Sequence, residues 1–512
     1  MSRPPDEGSA HDEALFLGDA AATDRLREVA SRLVDTIEQW AARPGPCSDI
    51  TADDLRALIQ GIDPCPDDPV PLGHVLDEVG ERILAHGIRA WDPACAAHLH
   101  SPTLLTAAAT ELAIGATNQS MDSYDQAPAA TLVEDHLVGW LAGQLGLPDG
   151  ATGVLTAGGT ASNLLGLTLA REQQASPPDW SVAADGLPPG ADRWRIVTSA
   201  AAHFSVEQAA AVLGLGRRAV VPVAVDDHGR MSIDALDAAL AQLDDDERGL
   251  TPIAVVGTAG TTDLGAIDPL TELADRAAAR GAWFHVDAAV GGALCLSPRL
   301  RPLVAGIERA DSVTTDLHKL WWQPIGASAL LVRDPAAFAG LHRHSDYLDR
   351  SDDDELGVLN LVRRSLDTSR RFDALKVLVS LRSTGRRRMA ALVEQLIDTA
   401  RAGAELVDGH PDLELLAPPS TVTVVFRWRP ANARAKANSA TLDAANTAIQ
   451  RRLFAEGRAV LGRTRWAGRV ALKFTLVNPR TTVDDLARLA DLVAAAGTAE
   501  MLRSDPPLEV AP

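Results

Sequence analysis

Between Gly153 and Val332 the chain alternates short, continuously apolar segments with amphipathic ones, and nothing else in the sequence constrains the fold as strongly. GVLTAGG, RIVTSA, AVVPVAVD, PIAVVGTAG, AWFHVDAA, SVTTD and ASALLVR read as strands. TASNLLGLTLARE, HFSVEQAAAVLG, ALDAALAQL and DPLTELADRAAARG read as the helices between them. A strand that is apolar throughout, instead of at every second residue, must be covered on both faces. Strands alternating with helices pair in parallel through crossovers. The predicted class is α/β, with a mostly parallel central sheet flanked by helices. In such a sheet, ligands sit beyond the carboxyl ends of the strands.

Around this repeat the sequence suggests three units. Residues 1–100 form an N-terminal helical arm: no structure is expected up to Asp12, and Leu26, Val29, Leu33, Val34 and Ile37 mark a helix over 20–42 that Pro44 and Pro46 stop. A second helix, ITADDLRALIQGI, is predicted to start at Thr51 as N-cap with Asp54 in the capping interaction. Residues 101–382 form the large domain. Within it the spacing predicts a helix over 131–145 with Glu134 on its polar side, and 175–193 reads as a surface excursion. Residues 383–512 form a smaller C-terminal α+β domain. It opens with a long helix, has strands near VTVVFRW and RVALKFTLV, and ends with the helix VDDLARLADLVAAAG. Residues 430–440 read as a solvent loop and the last ten as a frayed tail.

Composition narrows the functional classes. A chain of 512 residues exceeds one ordinary core. A net charge of −21 argues against nucleic acid and against an anionic membrane, since both need clustered Lys and Arg. The charge weakly suits a cationic substrate, but a merely solvated acidic surface accounts for it more simply, since net charge says little about any one site. Cys47, Cys65, Cys95 and Cys295 are scattered, which excludes a CxxC zinc site and fits reduced thiols in a cytoplasm. No metal is expected: His98 with His100, and His342 with His344, stand two residues apart without the glutamate of a metalloprotease motif. The GLGRRA stretch follows a helix rather than a strand, so it is no dinucleotide fingerprint.

The residues with chemistry in them fall at strand ends. TAGGTASN sets two glycines and small hydroxyl residues where a strand runs into a helix, a place suited to an anion but also to a plain turn. His203 follows RIVTSA, where a flat imidazole can stack on a planar ligand or cap a helix. Thr261 and Thr262 follow the next strand, and Asp287 ends FHVD, where a carboxylate needs a partner. Lys319 follows TTDLH beside two tryptophans, where it is a reactive amine or an ordinary snorkelling lysine. Each is ambiguous alone, but all fall at one edge of one sheet. A lysine amine that condenses with an aldehyde, and a carboxylate that holds a ring nitrogen protonated, are the minimum for pyridoxal 5'-phosphate (PLP) chemistry.

The segments HFSVEQAAAVLGLG, GTAGTTDLGAIDPL, WFHVDAAVGGAL, DSVTTDLHKLWWQPIGASALLVRD and SLDTSRRFDALKVLVSLRSTG resemble the group II PLP-dependent amino-acid decarboxylases, a branch of PLP fold type I, the aspartate-aminotransferase-like fold. The likeness spans roughly residues 80–500. NQSMDSYDQAPAATLVE and TSRRFDALK are similar to the L-2,4-diaminobutyrate and siderophore-type lysine decarboxylases. The resemblance implies that Lys319 carries PLP, with His318 beside it. It implies that Asp287 holds the ring nitrogen, that Ala289 packs on the ring, and that His203 stacks on the other face and helps in proton transfer. Gly159, Thr160 and Ala161 would cradle the phosphate, and Thr261 and Asp316 would line the cofactor. Thr103, Tyr124 and Lys473 would reach the substrate, Lys473 standing where relatives have an arginine. A homodimer with sites shared between subunits is implied as well. Asp122 and Asp125 either recognise a side-chain ammonium or cap turns.

Two departures stand out. Relatives acting on aromatic amino acids or glutamate carry a tyrosine, in the loop after the lysine region, that protonates the substrate Cα once CO₂ has left. Residues 351–365 hold none, and Tyr347 precedes them. His203, Tyr347 or water is left to supply that proton. The heavy WWQPIGAS segment is expected to narrow the pocket. The expected function is decarboxylation of an L-amino acid, most consistent with a diamino acid. The alternatives are an aromatic, acidic or aliphatic substrate, a decarboxylation-dependent oxidative deaminase or transaminase, or an inactive scaffold.

Overall fold

The computed structural model describes residues 16–174, 180–342, 345, 348–350, 353, 355, 357–431 and 439–504. The stretch up to Asp12, part of the 175–193 excursion, His344, Tyr347, most of the 430–440 loop and the final tail lie outside these residues.

The large sheet has seven strands: β2 (Thr152–Thr156), β3 (Trp194–Ser199), β4 (Val220–Val223), β5 (Thr251–Thr258), β6 (Trp283–Asp287), β7 (Ser312–Asp316) and β8 (Ser328–Val332), with β1 (Cys95–Ala96) belonging elsewhere. Their order is β2-β8-β7-β6-β5-β3-β4. Four adjacent pairs run parallel, whereas β8 is antiparallel to both neighbours. That one reversal leaves β2 parallel to β7, so the ends of β2, β3, β5, β6 and β7 share one edge. Both faces are buried, as the unbroken apolar runs require. Leu155, Val197, Val255, Val286, Val313 and Leu331 enter one core. Their neighbours Val154, Ile196, Val256, Leu330 and Val332 enter another, the alternation a pleated strand imposes.

The crossover from β2 to β3 is the helix Gly159–Gln174, which packs across β5, β6, β7 and β8. Its first turn therefore opens at the edge where the strands end. The helix expected over 131–145 runs Pro128–Leu145, and Glu134 is not on a polar side. It is fully buried, accepting from Leu155 N (3.1 Å) and pairing with Arg370 at 2.6 Å. The reason is tertiary. The helix does keep an exposed stripe, along Ala129, Leu132, His136, Gly139 and Gly143, but Glu134 lies off it, and an arginine from a distant segment supplies the charge that the buried glutamate needs.

A second, five-stranded sheet has the order β1-β11-β12-β10-β9, built from β9 (Leu413–Ala417), β10 (Thr423–Trp428), β11 (Val460–Trp466), β12 (Arg469–Thr475) and β1. Its core is separate, but the helix Arg386–Gly409 feeds both: Met389, Val393 and Ile397 enter the large core, Ala400, Ala404 and Val407 the small one. The N-terminal helices Ala20–Ala41 and Ala52–Gln60 form as expected, and Thr51 Oγ1 accepts from Asp54 N (3.1 Å). Among the described residues no helix is long and apolar enough to cross a membrane.

Candidate active site

At the shared strand edge lies a cavity of about 620 Å³ whose lining includes Lys319, Asp287, His203, Ala289, Asp316 and His318. Gly159, Thr160 and Ala161 line it as well, at the start of the crossover helix. A larger hollow, about 790 Å³, lies between the N-terminal arm and the C-terminal helix Val483–Ser504 and holds none of these residues. Chemistry, rather than size, picks the site.

Asp287 ends β6 opposite Thr258 of β5 and Thr314 of β7. Its carboxylate is buried without a cation. Oδ2 accepts from Asn163 Nδ2 (2.9 Å) and Oδ1 from Ala289 N (3.1 Å). A carboxylate has about four acceptor positions, so capacity remains for a ring N–H. Lys319 sits on the turn after β7, with Nζ 2.9 Å from Asp316 Oδ2. The other Asp316 oxygen is buried with no partner, as is Thr258 Oγ1. The turn is set by His318, whose Nδ1 donates to the Ala327 carbonyl (2.7 Å), by Ser101 Oγ donating to the His318 carbonyl (2.9 Å), and by Leu104 N donating to the Trp322 carbonyl (2.8 Å).

His203 places Nδ1 2.9 Å from Ser205 Oγ. Burial pushes its pKa below the usual value and the Lys319 ammonium acts in the same direction, against the pull of Asp287 and Asp316. Two glycines shape the rim. A Cβ on Gly159 would meet the Asp316 carboxylate at 2.9 Å, and Gly260 has φ +102°, where side chains are strained. The first-turn N–H groups of a helix have no intrahelical acceptor, so Gly159 and Thr160 are suited to an anion. Unspent carboxylate capacity, orphaned buried oxygens, a lysine amine on the cavity wall and an open helix start fit PLP.

Several expected residues fall elsewhere. Thr261 does not line the cavity: its Oγ1 accepts from Ala266 N (3.0 Å) to close a turn, and Thr262 lines the wall instead. Lys473 is buried and committed, with Nζ donating to the Thr262 carbonyl (2.8 Å) and to Asp263 (3.1 Å). It anchors the rim rather than offering a free ammonium to this cavity. Thr103 lies on the strap tied to residues 318–322 without lining the cavity. Tyr124 lines a separate hollow of about 150 Å³ with Arg350, Asp353 and Asn360. Asp122 accepts from Ser120 and Ser369, and Asp125 pairs with Arg350 at 3.1 Å, so both are engaged in turns and loop contacts. Trp321 and Trp322 are buried in the core, away from the lining, and it is Ile325 of that segment that reaches the cavity. Sequence reasoning missed Asn163, Ser205, His285 and Asp268. The signal was present for two of them: a polar residue inside an apolar helix (Asn163) and a histidine inside an apolar strand (His285). Asp268 accepts from Met231 N (2.7 Å) and Thr258 N (2.8 Å), and burial raises its pKa to about 6.

Comparison with known proteins agrees with this geometry. The pyridoxal-dependent decarboxylase conserved domain matches residues 58–429. The L-2,4-diaminobutyrate decarboxylase of Rhizobium meliloti is 41% identical over 491 residues, covering 96% of this chain and 95% of that protein. The Acinetobacter baumannii enzyme of the same name is 36% identical, covering 95% of each. A solved structure, the glutamate decarboxylase domain of diaminobutyrate-pyruvate transaminase and L-2,4-diaminobutyrate decarboxylase from Vibrio parahaemolyticus, superposes with a TM-score of 0.87 at 35% identity. It covers 96% of this chain and 100% of its own. The chain belongs to the pyridoxal-dependent decarboxylases and is a PLP-dependent amino-acid decarboxylase of fold type I.

Proposed function

We propose that this chain removes the α-carboxyl group of an L-amino acid that carries a second amine, of the 2,4-diaminobutyrate, ornithine or lysine type. The observation behind the site is the convergence of Lys319, Asp287 and the open first turn of the crossover helix on one cavity. The observation behind the substrate class is similarity to two L-2,4-diaminobutyrate decarboxylases over almost the whole chain. The net charge of −21 adds a field that favours approach of a cationic amino acid.

Lys319 would hold PLP through Nζ, Asp287 its ring nitrogen, His203 and Ala289 its ring, and Gly159 to Ala161 its phosphate. Bound there, PLP supplies a sink for the electron pair left at Cα when CO₂ departs. The chain's own residues do the rest. Asp287 would keep a negative charge beside the ring-nitrogen proton, and because its carboxylate is buried that charge counts for more than in solvent. Asp316 keeps the Lys319 ammonium aimed along the cavity wall. Lys473 holds the Thr262–Asp263 rim to the small sheet. A homodimer and a cytoplasmic location belong to the same reading.

Two measurements test it. Borohydride treatment followed by peptide mapping is expected to find the reduced cofactor on Lys319; an unmodified Lys319 in turning-over protein overturns the site. Release of CO₂ from 2,4-diaminobutyrate, ornithine and lysine is then compared with release from tyrosine, glutamate and valine. A clear preference for an acidic or uncharged side chain discards the diamino-acid assignment. Because residues 351–365 lack a tyrosine, ammonia and peroxide are measured in the same assay, where their appearance in step with CO₂ would mark oxidative deamination.

A further inference from the structure

Behind the cavity, buried polar side chains from two helices and two strands form one hydrogen-bonded chain, and the donors available dictate its direction. Trp283 Nε1–H can only donate, and it donates to Ser312 Oγ (2.7 Å). Ser312 lies 2.8 Å from His285 Nδ1, and His285 Nε2 lies 3.0 Å from Asn163 Oδ1. His285 is fully buried, and burial pushes its pKa down, so the ring is neutral and holds one proton. Asn163 Nδ2 is 2.9 Å from Asp287 Oδ2 and 2.9 Å from Ser205 Oγ.

The amide is fixed from both ends. A carboxylate only accepts, so Asp287 requires the Nδ2 side of Asn163, which leaves Oδ1 to accept from His285 Nε2–H. His285 Nδ1 is then bare and takes the Ser312 hydroxyl proton, in agreement with Trp283 donating to that same oxygen. At the other end Ser205 Oγ receives one Nδ2–H and sends its own proton to His203 Nδ1 (2.9 Å), towards which Ser205 N–H also points (3.3 Å).

We propose that Asn163 is a positioning residue that sets two cofactor-facing groups together: it holds the Asp287 carboxylate and, through Ser205, fixes His203 as a neutral imidazole with its proton on Nε2. The proposal rests on the decarboxylase site described above. The charged groups acting on His203 are Asp287, Lys319 and Asp316, which contribute two negative charges and one positive. In this form His203 gives the cavity a stacking face and a hydrogen-bond donor, and as a neutral ring it is a poor acid. The proton that replaces CO₂ on Cα then comes from another group.

The test is nitrogen NMR of the full-length protein labelled with ¹⁵N-histidine, with and without PLP; a His203→Gln variant identifies the signals among 13 histidines. His203 is expected to show a bare Nδ1 and a protonated Nε2 at neutral pH. Ser205→Ala is expected to move it towards a mixture of forms, leaving the Asn163–Asp287 contact in place. Asn163→Ala is expected to do the same and also to weaken PLP binding about ten- to a hundredfold, the range for losing one hydrogen bond to a buried charge. A His203 proton on Nδ1 in the unsubstituted protein overturns the proposal. So do Asn163→Ala spectra and PLP affinity that match the parent. If Asn163→Ala does not fold, an unchanged His203 spectrum in Ser205→Ala decides against it. The cofactor-free spectrum is independent of which amino acid is turned over, so failure here leaves the decarboxylase reading to its own assays.

Discussion

Two buried carboxylates share the cavity, and their partners separate their tasks. Asp287 is held by an amide and a backbone N–H, whereas Asp316 is held by the Lys319 ammonium. Neutral donors leave the charge of Asp287 uncancelled, so it is available to a cationic ring. Asp287→Asn removes that charge at nearly constant volume and is expected to lower kcat/KM by about two to three orders of magnitude, the effect of deleting one preorganised electrostatic partner. Steady-state assays at saturating PLP check it. Asp268 carries a different consequence. Its folded pKa, about 6, lies above the ordinary carboxylate value. Between those values the folded protein binds a proton that the unfolded chain has released. This contribution to stability is therefore complete at low pH and lost as pH rises towards 6 and beyond. Comparing unfolding of the parent and Asp268→Asn from pH 4 to 7 is expected to show that component missing in the variant.

At the scale of elements, the buried Glu134–Arg370 pair joins the helix Pro128–Leu145, β2 and the segment after Asn360. Glu134 also takes the Leu155 N–H, and the Arg370 carbonyl takes the Met121 N–H, so four stretches meet in one contact. Buried pairs of this kind add little over an apolar replacement, but removing one partner strands the other. Arg370→Ala is expected to cost about 3–5 kcal/mol in denaturant unfolding, and Glu134→Gln less, since a neutral amide still accepts from Leu155 N. The crossover helix Gly159–Gln174 has the other controlling position. Lying across four strands, it delivers its open first turn to the Lys319 turn and Asn163 to Asp287.

Over the whole molecule, the two cores are connected rather than merely adjacent. β1 pairs with β11, so residues from before the large sheet complete the small one, and one helix enters both cores. Lys473 extends that connection to the cavity rim. The N-terminal arm is different: Leu33, Val34 and Ile37 on its first helix are exposed, Val34 at 61%. Clustered apolar residues of this kind normally meet a partner, and a symmetric pair of chains covers such a face twice. In the homodimer reading, sedimentation of the parent is expected to give a dimer, and changing Leu33, Val34 and Ile37 to Lys is expected to shift it towards monomer.

The sequence by itself determined the α/β repeat, because strands buried on both faces must be apolar along their whole length and helices between them must be amphipathic. It also placed Lys319, Asp287, His203 and the glycine turn at strand ends, since a shared edge follows from parallel connection alone. Tertiary structure decided what periodicity cannot see. Whether Glu134 faced water depended on Arg370, more than two hundred residues away. Whether Lys473 was free depended on the Thr262 carbonyl, and whether Thr261 or Thr262 faced the cavity depended on a turn closed at Ala266. The strand reversal at β8 and the Asn163 network belong to the same class. The Glu134, Lys473 and Asn163 contacts join segments remote in sequence, and even the short Thr261–Ala266 turn and the β7–β8 reversal are settled by which donor packing brings to which acceptor, of which local pattern carries no record.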